Sequence, residues 1–87
     1  MMNEATWLDI LFIVNGEDVP VCIERKSSLS EARNKALSVS RNMGRPPENW
    51  EIREESGVRL DPLRFVEDFN FVSGVRLFLT LAVGSMG

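Results

Sequence analysis

Eighty-seven residues, 44% of them hydrophobic and with a net charge of −3, amount to one domain that can bury about 60% of its extended-chain surface. A single cysteine excludes an internal disulfide, and the lack of histidine removes the usual zinc ligand sets and the commonest general base. The acidic balance opposes phosphate backbones, and no apolar run approaches the roughly 18 residues of a membrane span, so neither nucleic acid nor membrane is an expected partner.

From Trp7 to Val14 the chain alternates with period two. Leu8, Ile10, Phe12 and Val14 fall on one face and Trp7, Asp9, Leu11 and Ile13 on the other, which predicts a strand. Asn15-Gly16-Glu17-Asp18 reads as a turn, and Val19, Val21 and Ile23, alternating with Pro20, Cys22 and Glu24, complete a hairpin. Pro20 cannot donate a ladder hydrogen bond, so this strand belongs at a sheet edge. Cys22 then points outward beside Glu24, a neighbour that disfavours a reactive thiolate.

Ser28-Leu29-Ser30-Glu31 has the pattern of a capping box, placing a helix start near Leu29. Leu29, Ala32, Ala36, Val39 and Met43 form a narrow apolar stripe, and Gly44 with Pro46-Pro47 is expected to stop the helix. Trp50 and Ile52 flank Glu51 in a third strand, Glu54-Glu55-Ser56-Gly57 turns the chain, and Val58-Arg59-Leu60 forms a short fourth strand. Glu51, Glu54 and Glu55 lack the ligand spacing of a calcium loop and read as solvated charge. Leu63, Phe65, Val66, Phe69 and Phe71 are expected to plug one end of the core. Val72-Ser73-Gly74 leads into a last strand, Leu77 to Leu81, followed by a small-residue tail.

The boundaries expected are a disordered N-terminus at 1–6, a folded domain at 7–81 and a flexible tail at 82–87. Met1 to Thr6 lack the basic and apolar regions of a secretory signal, which predicts a cytoplasmic protein. The order hairpin, helix, two strands, plug, strand predicts an α+β domain of the β-grasp type. It has a mixed sheet of four to five strands, one helix on one face, and the first and last strands parallel in the middle. A parallel pair needs a long crossover, which the helix supplies. The expected core includes Leu8, Ile10, Phe12, Val21, Ile23, Leu60, Phe71, Leu77 and Leu79.

Asp68-Phe69-Asn70-Phe71, six residues before Leu77 and followed by alternating Leu77, Leu79 and Leu81, resembles ubiquitin-like proteins, in which an Asp-aromatic-Asn-apolar plug precedes the last strand by the same distance. The resemblance runs from Trp7 to the tail and is nearest to bacterial ubiquitin-like modifiers of antiviral defence clusters. It implies that the C-terminal carboxylate is adenylated by an activating enzyme, passed through thioesters and joined to target proteins. An activating enzyme, a conjugating enzyme, a deconjugating peptidase and protein targets are the implied partners. Aligned without gaps, Met86 stands at ubiquitin's terminal glycine and Gly87 one residue beyond. The Gly-Gly ending is replaced by Gly84-Ser85-Met86-Gly87, so the conjugation terminus is Gly87 or, after trimming, Gly84.

On this reading the protein is a substrate and not an enzyme. It needs no cofactor or metal of its own, ATP being used by the activating enzyme. Leu11, Ile13 and Phe78, rimmed by Arg53 and Arg76, form the expected partner-binding patch on the sheet face away from the helix. Lys26 and Lys35 are the candidate acceptors for further copies. Two other functions fit the same fold: a sulfur carrier using a C-terminal thiocarboxylate, and a non-covalent interaction module with an inert tail.

Overall fold

In a computed structural model, described for residues 6–82, a five-stranded mixed sheet carries one helix on one face. β1 (Trp7–Val14) and β2 (Glu17–Glu24) form an antiparallel hairpin. The turn is tighter than the four residues expected from the sequence. Asn15 (φ 53°) and Gly16 (φ 79°) alone make the bend, the left-handed pair that matches the twist of a two-residue hairpin, so Glu17 and Asp18 already belong to β2.

α1 (Leu29–Val39) starts at Ser28, whose hydroxyl accepts from Glu31 N at 3.3 Å. The return bond of a capping box, from Ser28 N to the Glu31 carboxylate, is not made, and the first two helix amides are served by the chain. Leu29 N donates to Arg64 O and Ser30 N to Pro62 O. The helix ends earlier than Gly44. Arg41 takes a left-handed conformation (φ 65°) and donates to Ser38 O, while Asn42 N donates to Leu37 O at 2.9 Å, the paired bonds of a Schellman stop. This corrects the expected stripe. Leu29, Ala32, Arg33, Ala36 and Leu37 are buried, whereas Val39 sits at the margin of that face and Met43 lies past the helix, 59% and 63% exposed.

β3 (Trp50–Glu54) follows a short 3-10 turn, Pro47–Asn49, and β4 is only Arg59–Leu60. Val58 is left out of β4 because its carbonyl closes the turn, accepting from Glu54 N at 2.9 Å around Gly57 (φ 96°). A second 3-10 turn, Val66–Phe69, precedes β5 (Val75–Leu81). The strand order is β2-β1-β5-β3-β4, with β1 and β5 parallel at the centre and the remaining pairs antiparallel. Both expected boundaries are hydrogen-bonded: Arg25 N to Thr6 O and Ala82 N to Asn49 O, each at 2.8 Å. The rest of the expected disordered end and tail, 1–5 and 83–87, lies outside the described residues.

Alternate residues of the strands, Leu8, Ile10, Phe12 and Val14 with Val19, Val21, Ile23, Leu77, Leu79, Trp50, Ile52 and Leu60, meet α1 in one core. The plug is smaller than its apolar content suggests. Only Val66 is fully buried, because Val66 N and Glu67 N bond to Ser27 O and Arg25 O and draw it over the end of the sheet. Leu63 and Phe65 face outward, and Phe71, expected in the core, is half-buried and stacked on Phe69 with centroids 5.1 Å apart. Leu79 is 2% exposed at the centre of the sheet, so Leu79→Ala is expected to cost about 2–5 kcal/mol. A denaturant titration reads this as a lowered midpoint with an unchanged slope.

Candidate functional site

The sheet face opposite α1 brings together the residues picked from the alternation. Ile13 of β1 lies directly opposite Phe78 of β5, Leu11 opposite Arg76, and Arg53 of β3 opposite Phe78 from the other side. Pro20 of the edge strand stands next to Leu11. Leu11, Ile13 and Phe78 are each half-buried and remain open on their outer side, where no element of the described chain covers them. The helix supports this surface only indirectly, by packing against the inward residues of the same strands.

The charges around the patch are already committed. Arg53 donates through Nη2 to Glu51 Oε1 at 2.7 Å and through Nη1 to Gly57 O at 2.7 Å, and Arg59 donates to Glu51 Oε2 at 3.2 Å. Arg53 and Arg59 are a cross-strand pair, and like charges facing each other repel, so Glu51 is the group that makes this register tolerable. Arg76 places its guanidinium carbon 5.7 Å from the Phe78 ring centroid and donates to Glu55 Oε2 at 3.2 Å. The rim arginines Arg53 and Arg76 therefore each carry an intramolecular carboxylate partner. The carboxylate cluster is accounted for in the same way: Glu51 and Glu55 hold arginines, and Glu54 accepts from Ser56 Oγ.

Of the other residues singled out from the sequence, Lys26 is exposed beyond β2, and Lys35 Nζ donates to Cys22 O at 2.9 Å. Cys22 is a free, exposed thiol on the edge strand. Gly84 and Gly87 lie outside the described residues. The sequence reading passed over Arg33, which is 6% exposed in the helix face that packs on the sheet. Its position four residues after Leu29 was the available signal, since that spacing puts it on the apolar stripe.

Glu51 carries the electrostatic weight of the rim. The hydrogen bond from Arg53 most of all, helped by the charge of Arg53 and by Arg59, holds its carboxyl below the usual carboxylate range against an opposing desolvation. A carboxyl depressed in the folded state contributes stability above its unfolded pKa, about 4.3, and loses it as pH falls through the lower folded value. The advantage of the native chain over Glu51→Gln in urea midpoint is thus expected to be full at neutral pH, to shrink below about pH 4.3 and to vanish in stronger acid.

Residues 3–87 match the family described as "Protein of Unknown function (DUF2604)". A protein of Sinorhizobium fredii (strain NBRC 101917 / NGR234), "Uncharacterized protein y4jI", is 36% identical over 80 residues that make up 92% of this chain and 62% of that protein. The chain thus spans less than two thirds of the length of this curated relative. Among solved structures, a protein designed on the basis of ubiquitin superposes with a TM-score of 0.76 at 24% identity over 94% of this chain and 96% of that one. A chain in the crystal structure of ATBAG1 in complex with HSP70 superposes with a TM-score of 0.72 at 13% identity, over 91% of this chain and 42% of its own length. The fold is ubiquitin-like, and the chain belongs to the DUF2604 family.

Proposed function

We propose that this DUF2604 member is a protein modifier. The carboxylate of Gly87, or of Gly84 after trimming, is adenylated by an activating enzyme, passed through enzyme thioesters and joined to target proteins, in bacterial antiviral defence. The chain is the substrate of these steps and not their catalyst. The observation that carries this reading is the ubiquitin-like fold over 94% of the chain, with β5 at the centre of the sheet beside an apolar face that no described element covers. Glycines at 84 and 87 support it, because a terminal glycine leaves the carboxylate free of side-chain hindrance.

In this scheme the patch of Leu11, Ile13 and Phe78 docks the activating enzyme or a reader, and the neighbouring Arg53 and Arg76 orient it by exchanging their intramolecular carboxylates for those of the partner. Aromatic anchors dominate such interfaces. Phe78→Ala is expected to leave the denaturant midpoint nearly unchanged while weakening partner binding by about 1–2 kcal/mol, measured by calorimetry with the activating enzyme.

The chemistry itself is tested by mass measurement after incubation with ATP and a lysate of the source cells. Modifier function predicts an adduct heavier by a protein. A sulfur carrier would instead gain the mass difference of one oxygen-to-sulfur exchange, and an inert tail would gain nothing; either outcome rejects the proposal. Direct use of Gly87 predicts that one alanine appended after it abolishes the adduct, whereas trimming to Gly84 predicts that the extended chain is still processed.

A further inference from the structure

Beside the Glu51–Arg59 pair of the rim, a cleft of about 500 Å³ lies between α1, the turn at Pro47–Asn49 and β3–β4. Arg33, Glu48, Trp50, Arg59, Asp61 and Ala82 contribute to its walls. Arg33 is the charged member of an otherwise apolar buried set. Among the described residues its Nε donates to Asn34 Oδ1 at 3.1 Å, and no carboxylate comes within ion-pair distance. Burial lowers the pKa of its guanidinium, with the charge of Glu48 acting in the opposite sense, yet an arginine starts so high that it keeps its proton at neutral pH.

Trp50, 5% exposed in the same wall, has a buried indole N–H without an acceptor. An unpaired buried cation is costly, and a buried indole N–H normally finds a partner. Among the described residues, the cleft wall thus holds a guanidinium with no carboxylate at ion-pair distance and an indole N–H with no acceptor.

We propose that this cleft binds a monoanionic carboxylate, with the Arg33 guanidinium as its principal partner and the Trp50 indole N–H as a second donor. The planar guanidinium fork matches the two oxygens of a carboxylate. Glu48, Glu51 and Asp61 at the cleft disfavour a dianion such as phosphate, while Glu51 is already balanced by Arg53 and Arg59 and so tolerates a single added charge. This site stands on its own residues and does not depend on the modifier reading. The carboxylate has two potential sources, another molecule or the terminus of this chain at Gly87, since Ala82 lies at the cleft.

The test follows the indole N–H resonances of the full-length chain while sodium acetate replaces sodium chloride at constant ionic strength. Trp7, half-exposed on β1, serves as the internal reference. A saturable shift of Trp50 and not of Trp7, abolished by Arg33→Gln and weakened by Arg33→Lys, supports the site. Arg33→Met guards against misfolding: it is expected to abolish the response with a denaturation midpoint at or above that of the parent, because it replaces an unpaired buried charge by packing. No response in the full chain, but a saturable one after amidation of the Gly87 carboxylate, also supports the site and assigns its occupant to the chain's own end. The proposal is overturned if neither chain responds, if the response survives Arg33→Gln, or if phosphate acts at lower concentration than acetate.

Discussion

Everything in this fold depends on the parallel pairing of β1 with β5, the first and last strands, from Ile10 opposite Val75 to Val14 opposite Leu79. A parallel pair cannot be closed by a turn, so the sixty residues between must cross over, and α1 with the segment after it does so on one side only. That asymmetry gives the sheet a dry face and an open one. The inward residues of the central strands are buried by α1, and the same strands set Leu11, Ile13 and Phe78 side by side on the far face with no described element above them. The open face is therefore a direct result of the topology.

The strands were legible because period-two alternation is local and strong: β1 is Trp7–Val14 as the pattern indicates, and Pro20 marks the edge strand. The register of the open face followed from the same alternation. What the sequence hid was settled by backbone bonds between distant segments. The helix stop at Arg41 is a left-handed residue that no glycine announces, and the exposure of Leu63 and Phe65 follows from Arg64 and Pro62 lending their carbonyls to the start of α1. Arg33 was hidden for another reason. A charged residue on an apolar stripe is ordinarily read as the edge of that stripe, and only the packed structure shows it inside.

Charge is distributed to match this division. On the open side the arginines at 53, 59 and 76 are each held by a glutamate from β3 or the turn after it, which keeps the rim soluble and fixes the side chains around Phe78. Exposed pairs of this kind contribute little to stability individually. Their larger effect is on geometry, since Glu51 bridges two arginines that would otherwise repel across the β3–β4 pair. On the helix side the buried guanidinium of Arg33 has no such bridge among the described residues, so the two faces treat the same residue type in opposite ways.

The bond from Lys35 to the carbonyl of Cys22 has a consequence for how copies of this chain meet one another. A strand margin with unpaired amides and carbonyls invites a foreign strand, and β2 is one such margin. There Pro20 offers no amide and Lys35 occupies a carbonyl, while the opposite margin, β4, is two residues long. Growth of the sheet by addition at its sides is discouraged at both ends. What the described chain leaves open is its flat apolar face, where side chains and not backbone groups are on offer.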